Sequence, residues 1–340
     1  MKFALKLLSL LGCALIAPGI TIAQNAYRIE STEFVFDVLP HESCHASTIA
    51  ESSSGLVCCW FGGKREGDKS VGIWISRQVK GQWTSPEELV NGNQGGGTRY
   101  PCWNPVLFQM PKGELFLFYK VGPSPREWWG MMTKSRDGGK TWAKPKKLKN
   151  GILGPIKNKP VLLDDGRLLC GSSTEHNGWK VHMEWTKDPW NINSWRKSKA
   201  VENGKAKGAI QPTILQTKEG LSILCRNQGR DGILLSTTKD VSQWEPFKTI
   251  ELPNPNSGID AVSLKNGNHL VVYNHTSASR SPINLALSTD GKSWKMILEL
   301  EKEDRKEFSY PAIIETADGK VHVTYTWKRQ KIKHLVLSVK

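Results

Sequence analysis

Six polar residues, His45, Asn104, Lys159, Gln211, Asp260 and Tyr310, each stand at the head of an apolar segment in a repeated pattern. A purely structural repeat would place the same small or apolar residue at that point six times. Six different polar side chains brought together would instead line a binding or catalytic pocket. The cations Lys120, Arg226, Arg280 and Arg329 lie near the ends of the segments that follow, with Glu66 and Glu175 on the loops beyond. Together with Lys159 they suit a ligand bearing carboxylate, sulfate or phosphate. Arginine fits that task because its planar fork meets a carboxylate through two parallel hydrogen bonds. Trp103, Trp128 and Trp129 on neighbouring loops offer flat faces for sugar rings. A single lysine or arginine would read equally well as a solvated loop charge; the grouping of His45, Tyr310, Arg226 and Arg280 carries the functional reading.

The elements that must position these residues follow from self-similarity. Ser135-Arg136-Asp137-Gly138-Gly139-Lys140-Thr141-Trp142 has the form S-x-D-x-G-x-T-W, a hairpin turn. In such a turn the Ser and Asp side chains bind backbone amides, Gly takes the positive φ, and Trp packs between sheets. Looser copies run Ser76 to Trp83, Thr186 to Trp195, Thr238 to Trp244 and Ser288 to Trp294. The tryptophans are separated by 59, 53, 49 and 50 residues. Between them recur an apolar strand, a Gly turn and a second apolar strand, as in Val161-Leu162-Leu163, Asp165-Gly166 and Leu168-Leu169-Cys170. No helical periodicity intervenes, so the class is all-β. Six radial four-stranded units make a six-bladed β-propeller. The final copy lacks a turn of this kind after Lys333 to Leu337, so the strand Glu33 to Phe36 is expected to complete it and close the ring.

The chain opens with Lys2 and Lys6, an apolar run from Leu7 to Ile22, and a small residue at Ala23. That is the form of a secretory signal peptide cleaved after Ala23, leaving one propeller domain over residues 24–340. Leu10-Leu11-Gly12-Cys13 also reads as a lipoprotein box, but the apolar run continues well past Cys13. The reading is therefore of an exported protein, periplasmic or extracellular, with lipid anchoring as the alternative. No later segment is apolar enough for a transmembrane helix. The formal charge of +15 is scattered rather than clustered, which argues against nucleic acid and for an acidic polysaccharide partner. Cys44, Cys58, Cys59, Cys102, Cys170 and Cys225 form no paired metal motif. Most lie in apolar runs and read as buried thiols; a Cys44–Cys102 bridge is the alternative. No cofactor is implied, and the chain is expected to be a monomer.

Cys44-His45-Ala46-Ser47-Thr48-Ile49, Trp103-Asn104-Pro105, Gly154 to Pro160, Asn254 to Gly258 and Phe308-Ser309-Tyr310-Pro311 make the chain similar to the BNR/Asp-box sialidase superfamily. The resemblance spans residues 40–338. It implies a substrate carboxylate held by three arginines, a tyrosine nucleophile polarised by a glutamate, and an aspartate as proton donor. On this resemblance Arg226 and Arg280 take the second and third arginine positions, and Tyr310 that of the nucleophile. Gln211 stands where the glutamate belongs, and the first arginine is replaced near Cys44-His45. The acid loop offers Glu66 or Asp68. An amide cannot take the phenol proton, so His45 or Lys159 would have to activate Tyr310. Asn104, Lys120, Glu175, Asp260 and Arg329 are read as substrate-binding.

The leading expectation is an exo-acting glycoside hydrolase on a terminal acidic sugar. A uronate-directed polysaccharide lyase with His45 and Tyr310 as base and acid is the second reading. A non-catalytic glycan-binding propeller is the third. A metal-assisted mechanism through Asp260, His45 and Glu175 lacks supporting ligand spacing.

Overall fold

The structure is a computed structural model that describes residues 27–111 and 113–339. The leader segment lies outside the described residues. Among those residues every regular element is a β-strand, and no helix is long and apolar enough to cross a membrane. Six antiparallel sheets follow one another along the chain. Their innermost strands are Ser43–Ser52, Cys102–Gln109, Val161–Leu162, Ala209–Thr217, Asp260–Ser263 and Phe308–Glu315, which define blades 1 to 6.

The second strand of each blade is apolar on both faces because neighbouring blades cover it from both sides. Leu115 to Tyr119 in blade 2 shows this, buried throughout. Each junction holds its own apolar cluster. Phe61 and Ile73 meet Leu107 and Tyr119 between blades 1 and 2, and Phe118 and Met132 meet Leu168 and Trp195 between blades 2 and 3. Met183 meets Ile214, Leu224 meets Val271, and Leu285 meets Phe308 at the next three junctions. Val35 and Ile332 close the circle against Cys58 and Trp60. Hydrogen bonding also closes the ring: Tyr27–Phe34 pairs antiparallel with Lys331–Val339 as the outer strand of blade 6. The sequence placed this strand at Glu33 to Phe36. Pairing begins further upstream, at Tyr27, and Val35 N–H still donates to Ile332 O at 2.9 Å.

The turn motifs form as their chemistry requires. Ser135 Oγ accepts from Gly139 N–H at 2.8 Å, Asp137 Oδ1 accepts from Lys140 and Thr141, and Trp142 Nε1 donates to Gly139 O at 3.0 Å. Asp290 repeats the pattern in blade 5, where backbone and hydroxyl donors hold its carboxyl down at about 2 despite partial burial. The six cysteines from Cys44 onward are free, buried thiols. The Cys44–Cys102 bridge is therefore not made.

A β-bulge recurs in the inner strands. His45 pairs with Phe61 and Thr48 with Cys59, so Ala46 and Ser47 face one residue, Trp60. Blades 2, 4 and 6 do the same at Asn104-Pro105, Gln211-Pro212 and Tyr310-Pro311. The first residue of each bulge has a left-handed backbone: φ is 55° at Ala46, 39° at Asn104, 58° at Gln211 and 52° at Tyr310. Non-glycine residues in that region carry strain of about 1–3 kcal/mol each, and bulges of this kind re-aim side chains beside active sites. This corrects the sequence register by one residue in blade 1. Ala46, not His45, is the counterpart of Tyr310.

Candidate active site

Tyr310 is the centre of the polar cluster at the head of the inner strands. Its bulged backbone turns the phenol toward blade 4. There Arg226 Nη1 donates to the phenol oxygen at 2.6 Å and Gln211 Nε2 donates at 3.2 Å. Arg226 is itself fixed, donating from Nε to Asn256 Oδ1 at 2.5 Å, with its guanidinium 5.1 Å from the Trp179 ring centre. Arg280 lies over the Tyr310 ring at 5.5 Å. On one face the ring packs against Gly258, where a Cβ would come within 3.1–3.3 Å of ring carbons. His45 lies against the same ring, with centroids 4.0 Å apart.

His45 is fully buried. Burial first, and then the fields of Arg329, Arg280, Lys157 and Arg226, hold its pKa well below the ordinary value. The imidazole is therefore neutral at neutral pH. Thr326 Oγ1 accepts from Ala46 N–H at 3.2 Å and lies 3.0 Å from His45 Nδ1. A hydroxyl can either donate to Nδ1 or accept from it, so either ring nitrogen can carry the imidazole proton. Nε2 has no partner among the described residues, nor does Gln211 Oε1. One imidazole nitrogen and one amide oxygen are thus left open beside Tyr310.

Arg280 and Arg329 converge on Glu307, whose Oε1 accepts from Arg280 Nη1 and Arg329 Nε, both at 2.8 Å. Burial would raise the Glu307 pKa, but the two guanidiniums outweigh it and hold the carboxyl below its usual range. Arg329 Nη1 also donates to Glu66 Oε2 at 2.6 Å, so Glu66 is joined to the site but spent on an arginine. Glu175 differs. Desolvation raises its pKa from the ordinary glutamate value, against the opposing pull of Arg226 and Arg126.

The remaining sequence candidates fall elsewhere. Asp260 is buried, and its carboxylate accepts from Thr213 Oγ1, Ala261 N–H, Lys159 Nζ and Ile313 N–H at 2.8–3.0 Å. Those donors come from the blade 3 lead-in segment and from blades 4, 5 and 6, so Asp260 ties four blades together at the axis. Lys159 spends its other bond on Ala261 O at 2.8 Å and is not available to Tyr310. The lysine near Tyr310 is Lys157, fully buried and bonded to Ile259 O and Pro311 O. Asp68 caps a turn, accepting from Ser70 N–H at 2.8 Å, which together with the Ser70 hydroxyl lowers its pKa. That holds it ionised and unsuited to donate a proton. Asn104 occupies a bulge and is buried, with Trp103 beside it donating to Gly122 O at 2.9 Å. No group of three or more His, Cys, Asp or Glu among the described residues could hold a metal ion.

Lys120 is also displaced from the expected ring of cations. It lies in the core between blades 2 and 3, its Nζ bonded to Pro155 O. Desolvation pushes its pKa down to about 7, with Glu184 opposing. Between pH 7 and the ordinary lysine value the unfolded chain binds more protons than the folded one, so stability rises with pH there. The slope approaches about 1.4 kcal/mol per pH unit for one such lysine. Lys120→Met removes that contribution. In urea denaturation the wild type should gain roughly 1–2 kcal/mol on the variant as pH goes from 7 to 9. A pH-independent difference would show that Lys120 is charged in the folded state.

Sequence reasoning missed Glu307, Asn256, Lys157 and Gly258 as parts of this cluster. The last three lie in the strings Gly154 to Pro160 and Asn254 to Gly258, which stood out as motifs without revealing which side chains would meet Tyr310.

A BNR repeat-like domain matches residues 54–323. No curated protein matches the chain. Among solved structures, a Dyadobacter fermentans protein of unknown function superposes with TM-score 0.76 at 15% identity, covering 93% of this chain and 100% of its own. The Hadza microbial sialidase Hz136 gives 0.74 at 15% identity, over 87% of this chain and 66% of its own. The NanB sialidase from Streptococcus pneumoniae gives 0.69 at 12% identity, over 92% and 71%. At such identities these likenesses carry the fold alone. The domain match, the six blades and the repeated turns place the chain in the BNR repeat-like family, with the fold of the sialidases it superposes on.

Proposed function

We propose that the chain is an exo-acting, sialidase-like glycoside hydrolase that cleaves a terminal acidic sugar from a glycan outside the cytoplasm. The observation that carries this reading is the phenol oxygen of Tyr310, which accepts from Arg226 at 2.6 Å and Gln211 at 3.2 Å. A phenol can attack an anomeric carbon beside the substrate's own carboxylate, where a carboxylate nucleophile would be repelled. As Tyr310 gives up its proton to the neutral His45 packed against its ring, both N–H donors are already in place for the developing charge. Arg226 and Arg280 flank the ring and supply the cationic side of the site for the sugar's acid group. The open Oε1 of Gln211 can serve a ligand hydroxyl.

A proton donor to the leaving group must be protonated near neutral pH, which requires a raised pKa. Glu175, whose pKa burial raises, is the candidate donor, while Glu66 is bonded to Arg329 and Asp68 is held ionised by Ser70. Glu175→Gln should therefore lower kcat by roughly 10²-fold on natural linkages, spare aryl glycosides with good leaving groups, and erase the basic limb of the pH profile. An unchanged basic limb would assign the acid elsewhere.

The test is an incubation with sialoside, Kdo-bearing and uronate-bearing oligosaccharides, read by both reducing ends and ultraviolet absorbance. New reducing ends without an unsaturated product support hydrolysis. An absorbing unsaturated product would establish the lyase reading, and binding without cleavage of any glycan would establish the non-catalytic one.

A further inference from the structure

A second cleft lies between the loops of blades 2 and 3, with a volume of about 410 Å³, within the range of small-ligand sites. Trp128 and Trp129 line it, together with the cations Arg126, Lys147, Lys149 and Lys197. No Asp or Glu lines the cleft. Among the described residues none of its four cations is engaged in a salt bridge, unlike Arg280 and Arg329 in the central pocket. Lys147 Nζ sits 4.7 Å from the Trp129 ring centre, and Lys197 Nζ donates only to Gly151 O, at 3.1 Å. Four cations gathered around two aromatic faces, none of them in an ion pair, repel one another, and an anionic occupant would relieve that repulsion.

The cleft adjoins the polar cluster around Tyr310 through Glu175. Thr174 and His176, the chain neighbours of Glu175, both line it. Arg126 acts electrostatically on Glu175. Trp128 meets Trp103, the neighbour of Asn104, edge to face at 5.9 Å.

We infer that this cleft is a subsite for the leaving-group side of the substrate, and that the glycan it holds is itself anionic, bearing uronate carboxylates or sulfates. Tryptophan faces stack on the sugar rings while the lysines and Arg126 pair with the acid groups. Its role as a leaving-group subsite rests on the hydrolase reading and on Glu175 as the proton donor in that reading. Binding in the cleft does not depend on that chemistry.

The experiment is calorimetric titration of the Tyr310→Phe protein with an oligogalacturonate tetrasaccharide, a chondroitin sulfate tetrasaccharide and neutral cellotetraose. Comparison is with the same protein carrying Lys147→Ala, Lys149→Ala and Lys197→Ala, all three at exposed positions. The expected result is binding of an anionic tetrasaccharide that weakens about 10-fold or more in the triple variant, with cellotetraose binding far more weakly. Preference between the two anionic probes tells carboxylate from sulfate recognition. Equal binding by the triple variant, equal affinity for cellotetraose, or tighter binding of a single-stranded oligonucleotide titrated alongside them would each overturn the inference. Failure of the hydrolase reading looks different: cleft-dependent binding persists while no glycan is cleaved by the wild type.

Discussion

Tyr310→Phe should lower kcat on an acidic glycoside by about 10³-fold or more while leaving KM within a few-fold. The substitution removes one oxygen and keeps the ring, so the packing against Gly258 and His45 is preserved. What disappears is the acceptor of the Arg226 and Gln211 N–H groups. Both donors can turn to solvent or ligand, so thermal stability should change little. The loss therefore falls on the chemical step rather than on binding. Steady-state kinetics with a chromogenic acidic glycoside measure it. Activity within tenfold of wild type would mean that the nucleophile is not the phenol.

Asp260→Ala should produce the other large effect, and in a different quantity. Removing this carboxylate leaves Lys159 as an uncompensated, mostly buried charge, takes the 2.8 Å acceptor from the Thr213 hydroxyl and orphans the Ile313 amide, while Ala261 N–H keeps Thr213 Oγ1 at 3.0 Å. Breaking a buried pair from one side costs about 3–5 kcal/mol. Chemical denaturation should show that loss, and any activity deficit should scale with the unfolded fraction. Asp260→Asn retains two acceptor sites' worth of geometry on one oxygen and should cost less. A fully stable Asp260→Ala protein with weakened substrate affinity would return Asp260 to the binding site, where the sequence placed it.

The contrast between these two residues shows what was legible in the sequence. The turn motif at Ser135 to Trp142 is closed by its own side chains. Its recurrence therefore reveals the blades, their number and the pairing that closes the ring. Tyr310, Arg226 and Arg280 were found because polar residues at equivalent repeat positions must converge on the axis. Which of the converging groups would bind one another was not legible. Lys159 and Asp260 are about a hundred residues apart in the chain and cancel each other only because blades 3 and 5 approach at the axis. Lys120 lies at the position equivalent to Arg226, yet its side chain enters the core between blades 2 and 3. The one-residue shift at His45 arises from the bulge, since period-two alternation cannot register an extra residue. Glu307 was invisible for a further reason: a loop carboxylate matters here only because Arg280 and Arg329 arrive at it from two blades.

The central claim is that Arg226 and Arg280 hold the acid group of a terminal sugar against Tyr310. The most direct measurement is kcat/KM on a matched pair of glycosides, one carrying the sugar carboxylate and the other its carboxyl-reduced alcohol. The account expects the acid to be preferred by roughly 10²-fold or more, the worth of two charge-assisted contacts. Arg226→Met should collapse most of that preference. Equal kcat/KM for acid and alcohol in the wild type would contradict the account.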